Sequence, residues 1–392
     1  MKLLIGGSPC THWSIAQTKN RETEASGIGW ELFLNYRIAR DKYQPDFFLY
    51  ENNKSMAPAI KAQISKELGV EPVLINSALV SAQNRQRLYW VGKRESDDTY
   101  SQVPIEQPED MGILLRDILE TGVAWSEKSY CITATEAKGS NPKQTLTKHR
   151  RTMVAEPIVV KAVTLCGNGG GLGAKTGLYA TPVDTDADGI LHLGSLYGQH
   201  SRWGVFAKDG KCPTITASMG MGGGHVPMVP TRTDEEGHCQ KNPTTAKQIY
   251  EVRDGKISIG NTWHPIKLRD GFYIIRKLTV RECMRLQTVP EEYVFPVSNS
   301  QAYKMLGNGW TVDVIAHIMS HFEGLTTEPV EVLSMYDGMS CGHIALDKLG
   351  AEITAYYATE IDKYAIQTTQ HNFPGTIQLG DAFQVRGEGW TL

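Results

Sequence analysis

Residues 331–381 read EVLSMYDGMSCGHIALDKLGAEITAYYATEIDKYAIQTTQHNFPGTIQLGD. Apolar, β-branched runs predict strands at Glu331–Tyr336, Ile353–Thr359 and Thr376–Leu379, separated by helices over His343–Leu349 and Asp362–His371. A β-α-β-α-β alternation of this kind builds half of a parallel, nucleotide-binding sheet. The first strand runs into the turn Asp337-Gly338-Met-Ser-Cys-Gly342, the second ends in acidic Glu360 and the third in Gly380-Asp381. Glycines let a ligand approach the backbone, and an acid after the second strand suits ribose hydroxyls. The turn is not GxGxxG and lacks the Lys and Ser/Thr of a phosphate loop, which favours a cofactor without phosphates over NAD or ATP.

The opposite end of the chain has the same rhythm. Lys2–Ile5 is a short apolar run stopped by Gly6-Gly7, and a helix is predicted over Gly29–Tyr43, with Trp30, Phe33, Leu34 and Ile38 at helical spacing. Strands are predicted at Asp46–Tyr50, Pro72–Leu79 and Leu88–Val91, giving an α/β block with a mostly parallel sheet. Between about Ser96 and Asp270 this rhythm is lost. Gly167–Gly224 alone holds 15 of the 38 glycines, which predicts a separate, irregular β-rich domain. The stretches Gln144–Val159 and Pro213–Val229 look alike and suggest repeated hairpins. The run Gly167–Gly173 does not sit between a strand and a helix and reads as a loop. After Phe272, Thr279-Val-Arg-Glu282 is a capping box opening a helix, Trp310–Phe322 reads as another helix, and Gly324–Pro329 as a polar linker. The predicted organisation is therefore 1–95, 96–270, 271–323, a linker at 324–330, and 331–392.

Composition bounds the function. In 392 residues, 40 Lys and Arg face 43 Asp and Glu, a net charge of -3, so any basic surface for nucleic acid must be local. One such excess lies between Lys138 and Lys161, where Lys138, Lys143, Lys148, Arg150, Arg151 and Lys161 meet the single acid Glu156. Seven cysteines are scattered singly, with no CxxC pair, which argues against a zinc ribbon or a secreted disulfide scaffold. No stretch approaches the ~18 apolar residues of a membrane span. The expectation is a cytoplasmic chain with reduced thiols and no obligate protein partner.

Three features carry chemistry. In GGSPCTHWS, Cys10 follows a strand, two glycines and a proline, which places a thiol on a stiff loop at the carboxyl end of a parallel strand, where such sheets bind ligands. The strand DFFLYENN delivers Glu51 at its carboxyl end, where a carboxyl could hydrogen-bond or protonate a substrate nitrogen. In Gln83-Asn84-Arg85-Gln86-Arg87, two arginines alternate out of an extended segment on one face. Singly, each has a bland reading: a buried structural thiol, a surface acid, a solvated edge strand.

Together, GGSPCTHWS, Glu51-Asn52, Gln83-x-Arg85-x-Arg87, Arg281-Glu282, Leu286-Gln287, Gly307-Asn308, the Asp337-Gly338 turn, Glu360 and Asp381 resemble the ordered motif set of the DNA (cytosine-5) methyltransferases. The style is similar to phage-encoded members, and the Asp-Gly turn and Trp310 to the de novo type. The order differs, because in the family the cofactor motifs come first and the Pro-Cys motif follows. The resemblance implies a circularly permuted, Rossmann-like S-adenosylmethionine-dependent methyltransferase sheet with an inserted, β-rich target-recognition domain at 96–270. Asn53 stands where Val is commoner, and Ser340-Cys341 where the family often has Gly-Gly.

What the resemblance implies for mechanism is covalent activation: the Cys10 thiolate adds to carbon 6 of a flipped-out cytosine, and carbon 5 then takes a methyl group from S-adenosylmethionine. Glu51 would hydrogen-bond the N3 edge, and Arg87 would hold the ring oxygen with support from Arg85. Tyr336, Asp337, Gly338 and Gly342 would line the methionine end of the cofactor, Glu360 the ribose hydroxyls, Ile361 the adenine face and Asp381 the adenine amino group. Leu32, Asn308 and Trp310 match positions that close this pocket, and Cys341 is assigned no catalytic role. Lys148, Arg150 and Arg151 are the candidate contacts to double-stranded DNA. Competing readings are a catalytically silent DNA-binding relative and an RNA cytosine methyltransferase.

Overall fold

A computed structural model describes residues 1–15, 21–139, 141–158, 191–195, 204–206, 227–228, 248–260 and 262–392. They fall into two compact units, Met1–Val154 with Arg276–Leu392, and Ala155–Ile275. Among the described residues no helix is long and apolar enough to cross a membrane.

The larger unit is built on an eight-stranded sheet: β1 (Lys2–Gly6), β2 (Phe47–Asn53), β3 (Val73–Asn76), β4 (Gln86–Arg94), β5 (Tyr100–Gln102), β6 (Val330–Met335), β7 (Ile353–Thr359) and β8 (Ile377–Gly380). Its order is β8-β7-β6-β1-β2-β4-β3, with β5 added to β4. The run from β8 to β2 is parallel, and β4 is antiparallel to both β2 and β3. The carboxyl ends of the parallel strands and the start of β4 therefore share one edge.

Alternation along each strand makes two cores, because successive side chains leave opposite faces. Leu3, Ile5, Phe47, Leu49, Tyr89, Val91, Val330 and Val332 are buried on one face, under α3 (Val280–Leu286), α4 (Asn299–Asn308), α5 (Val312–Met319) and α6 (Cys341–Leu349). Leu4, Phe48, Tyr50, Leu88, Trp90, Leu333 and Met335 are buried on the other, under α1 (Gly27–Tyr43) and α2 (Pro58–Leu68). Each such side chain stabilises the fold by about 1.5–3 kcal/mol relative to its exposed state. The helix α1 buries Trp30, Phe33, Tyr36 and Ala39 at spacings of three and four, and ends where Gln44 turns left-handed at φ 49°. The predicted capping box forms: the Thr279 hydroxyl accepts from the Glu282 N–H at 3.1 Å, and the Glu282 carboxylate accepts from the Thr279 N–H at 2.8 Å.

The smaller unit carries a β-meander, Ile249–Arg253, Lys256–Ile259 and Thr262–Pro265, extended by Gly271–Lys277 and then Met153–Pro157, the last two running across the unit's boundaries. A three-stranded sheet joins Leu191–Ser195, Gly204–Phe206 and Pro227–Met228. The glycine run at 167–173, Lys161, most of the second hairpin-like stretch, and Cys166, Cys212 and Cys239 lie outside the described residues.

Three sequence expectations change. The irregular segment was drawn from residue 96, yet Val103, Leu115, Ile118, Ile132 and Val154 are buried in the larger unit's core, so packing places the division near Ala155. The strand predicted over Pro72–Leu79 stops at Asn76, whose side chain caps a single 3-10 turn at Ser77–Leu79. The helix predicted from Trp310 begins at Val312, which leaves Trp310 free to turn elsewhere.

Candidate active site

The loop after β1 crosses directly over Glu51. A Cβ at Gly7 would lie 2.8 Å from the Glu51 carbonyl oxygen and 2.9 Å from its Oε2, so only glycine passes there. Beyond it, the Ser8 hydroxyl meets the Tyr50 hydroxyl at 2.7 Å, and the Asn52 amide donates to the Ser8 carbonyl at 3.1 Å. These contacts hold Pro9 and set Cys10 at the start of the short turn Cys10–His12, exposed at the sheet edge. Desolvation by its neighbours and the Glu51 charge push the Cys10 thiol up, while Arg87, Arg85 and a hydrogen bond from Asn53 pull the other way without overcoming them.

Glu51 lies opposite Tyr89 across the antiparallel pair of β2 and β4, which puts Arg87, two residues along, on its face. The Arg87 Nε forms an ion pair with Glu51 Oε1 at 3.1 Å. The indole N–H of Trp310 donates to Glu51 Oε2 at 3.0 Å. Each carboxylate oxygen is thereby fixed from one side, and further lone pairs remain for a ligand. Trp310, expected at the cofactor pocket, thus has its polar edge on the carboxylate beside Cys10.

Arg85 is buried and points inward. It donates to the carbonyls of Ile132 at 3.1 Å, Gly307 at 3.3 Å and Gly309 at 2.7 Å, and to the Cys131 sulfur at 3.3 Å. Gln83 and Gln287 complete this knot. The Gln83 amide N–H donates to the Leu286 carbonyl at 3.1 Å, and that of Gln287 to the carbonyls of Leu306 at 2.7 Å and Gly309 at 3.0 Å. Gly307 allows the approach, since a Cβ there would lie 2.1 Å from the Thr133 carbonyl carbon.

At the same edge, Tyr336, at φ 61°, donates its hydroxyl to the Leu32 carbonyl at 2.7 Å, joining β6 to α1. The Glu360 carboxylate accepts from the N–H groups of Gly338 at 2.9 Å, Ile361 at 2.7 Å and Asp362 at 2.8 Å. Ile361 is 75% exposed, and Gly338, at φ 61°, has open space where a Cβ would stand. Gly342 is pressed against Ile5 in the core, where a Cβ would lie 2.2 Å from Ile5 Cδ1. Asp381 caps the following turn through the Phe383 N–H at 3.0 Å, and Asn308 is exposed at the end of α4. Asp337 faces inward: its carboxylate accepts from the hydroxyls of Ser334 at 2.7 Å and Tyr356 at 2.8 Å and also from Ser340. Desolvation raises its pKa to about 6 against those three hydrogen bonds. Cys341 is buried, which pushes its thiol up to about 12.

The family model described as C-5 cytosine-specific DNA methylase matches residues 1–323. The chain belongs to that family. An orphan methyltransferase of Bacillus phage SPR is 26% identical over 365 residues, 81% of each chain. The type II methyltransferase HpaII of Haemophilus parainfluenzae is 26% identical, covering 80% of this chain and 69% of its own. Among solved structures, the methyltransferase EhMeth of Entamoeba histolytica covers 81% of this chain and 76% of its own, at 11% identity and a TM-score of 0.38. The protein is thus a DNA cytosine-5 methyltransferase whose methyl donor is S-adenosylmethionine.

In this methylase the three basic candidates do not behave alike. Lys148 ends the short helix Pro142–Lys148, and both it and Arg150 are exposed. The Arg151 guanidinium donates to the Gly139 carbonyl and to the Thr135 hydroxyl at 2.9 Å, so it braces its own loop. The sequence reading missed Gln83 and Gln287 as the polar knot beneath the site, and Cys131 beside the arginines. The first two were visible as amides inside the motifs that carried the resemblance. Cys131 had no local signal.

Proposed function

We propose that this methylase acts on a flipped-out cytosine in duplex DNA through covalent activation by Cys10. The observation that carries this reading is the convergence of Cys10, Glu51 and Arg87 at the edge that also bears the Gly338 and Glu360 turn. Cytosine carbon 5 is too weak a nucleophile to take a methyl group unaided. Addition of the Cys10 sulfur to carbon 6 forms an S–C bond and pushes electron density to carbon 5. Glu51, fixed by Arg87 and Trp310, would hydrogen-bond the N3 edge and offset the charge that builds there. Arg87 gives one N–H to the Gln86 carbonyl and one to the Cys131 sulfur, and with the second N–H of each terminal nitrogen would hold the ring oxygen. Loss of the carbon 5 proton and breakage of the S–C bond then release the product.

S-adenosylmethionine supplies an electrophilic methyl group. The residues present suit it: exposed apolar Ile361 for the adenine face, Glu360 with spare lone pairs for ribose hydroxyls, and open backbone at Gly338, with no phosphate-binding Lys in the turn. Tyr336 and Leu32, already hydrogen-bonded, would form the wall towards α1.

Duplex DNA containing 5-fluorocytosine tests the mechanism, since fluorine cannot leave as a proton and the S–C bond should persist. With S-adenosylmethionine present, a denaturing gel should show a DNA-protein band with the wild type and none with Cys10→Ala. A band of equal intensity from the Ala variant would refute Cys10 as the nucleophile.

A further inference from the structure

Cys131 is drawn into the site by a segment that runs beside the arginine motif. The Ser129 N–H donates to the Ala82 carbonyl at 2.6 Å, the Asn84 N–H to the Ser129 carbonyl at 2.9 Å, and the Ile132 N–H to the Gln83 side chain at 2.8 Å. The sulfur then receives an Arg85 N–H at 3.3 Å and an Arg87 N–H at 3.8 Å. The Ile132 carbonyl accepts from Arg85 at 3.1 Å and lies 3.5 Å from the same sulfur, so Cys131 and Arg85 share this oxygen. Around Arg87 the anionic and ionisable neighbours are Cys131, Glu51, Cys10 and Tyr89, the first of them the strongest in holding its charge.

We propose that Cys131 is a positioning residue of the reaction: its sulfur, held between two guanidiniums, fixes the plane of Arg87, so that this arginine presents its remaining N–H groups to the cytosine while its Nε stays paired with Glu51. The inference rests on the covalent reading above. Burial raises the Cys131 thiol, but the charges and hydrogen bonds of Arg85 and Arg87 outweigh it and draw the thiol below its usual range, whereas Cys10 is raised.

Two measurements test this. In the full-length enzyme without DNA or cofactor, the pH profile of iodoacetamide labelling at Cys131, read by peptide mass spectrometry, should shift to higher pH in Arg87→Gln. This readout does not depend on methyl transfer, so it stands even if the Cys10 mechanism fails. In steady-state methylation, Cys131→Ser should lower kcat by about 10- to 100-fold through a misplaced arginine, with DNA affinity within twofold of wild type. A Cys131→Ser enzyme with unchanged kcat would overturn the proposal, as would a Cys131 labelling profile indifferent to Arg87→Gln.

Discussion

The Asp337 carboxylate shows how a residue in a ligand-binding turn can serve the fold. It accepts from the hydroxyls of Ser334, Tyr356 and Ser340, and desolvation raises its pKa to about 6. An unfolded Asp titrates near 3.9. Because the folded state holds the proton more tightly, the stability this group contributes is fully present below about 3.9 and is lost as pH rises through about 6. Asp337→Asn, neutral at every pH, should therefore gain on the wild type between pH 4.5 and 7.5, by less than about 3 kcal/mol. Urea unfolding of both proteins at the two pH values measures it, and a gap that does not change with pH would contradict the assignment. In the sequence Asp337 sits in a glycine turn and reads as a cofactor contact. Its partners come from three separate stretches, and only packing brings them together. The placement of Cys10 and Glu51 at one edge was easier to read, because one follows and the other lies near the end of a strand whose alternation is visible locally, and the parallel sheet puts strand ends at one edge. The contact of Trp310 with Glu51 has no local signal, because the two are 259 positions apart.

At the level of elements, strands with strict alternation were legible and short or polar ones were not. Phe47, Phe48, Leu49 and Tyr50 are buried alternately against the two helix layers, a pattern a half-exposed loop could not sustain. By contrast 96–154 is rich in turns yet supplies buried residues to the same core, so composition alone drew the domain boundary too early. The basic stretch within it divides by geometry. Lys148 and Arg150 are exposed, while Arg151 is engaged by Gly139 and Thr135. Replacing Lys148 and Arg150 together with Ala should weaken DNA binding and reduce the slope of log affinity against log salt by about two units. Arg151→Ala should instead lower the unfolding midpoint and leave that slope nearly alone. Fluorescence anisotropy across a salt series separates these outcomes; an unchanged slope in the double variant would turn this stretch away from DNA.

Across the whole molecule the sheet has a natural starting point. Counted from β6, its order becomes 3-2-1-4-5-7-6, whose first five positions are those of a doubly wound nucleotide-binding sheet. The family match covers residues 1–323, and β6, β7 and β8 lie beyond it. We propose that the chain order is a circular rearrangement, with the cofactor strands placed last. β8 is an edge strand, separated from β1 by β7 and β6, and the two ends of the chain approach at α1. The Gly387 carbonyl accepts from Lys42 Nζ at 2.7 Å, and the Lys2 ammonium lies 4.9 Å from the centre of the Tyr43 ring, so both reach the last turn of α1. A short linker from Leu392 to Met1, with the chain opened within Gly324–Pro329, should give a folded enzyme that methylates the same sequence, since loop closure over few residues costs little. A soluble but inactive product would count against the rearrangement. The most direct test of the central claim, that Cys10 drives methylation of cytosine carbon 5 in DNA, is bisulfite sequencing of host DNA after expression of the wild type or Cys10→Ala. Wild type should leave protected cytosines at one recurrent sequence and the variant none; protection by the variant, or its absence with the wild type, would contradict the claim.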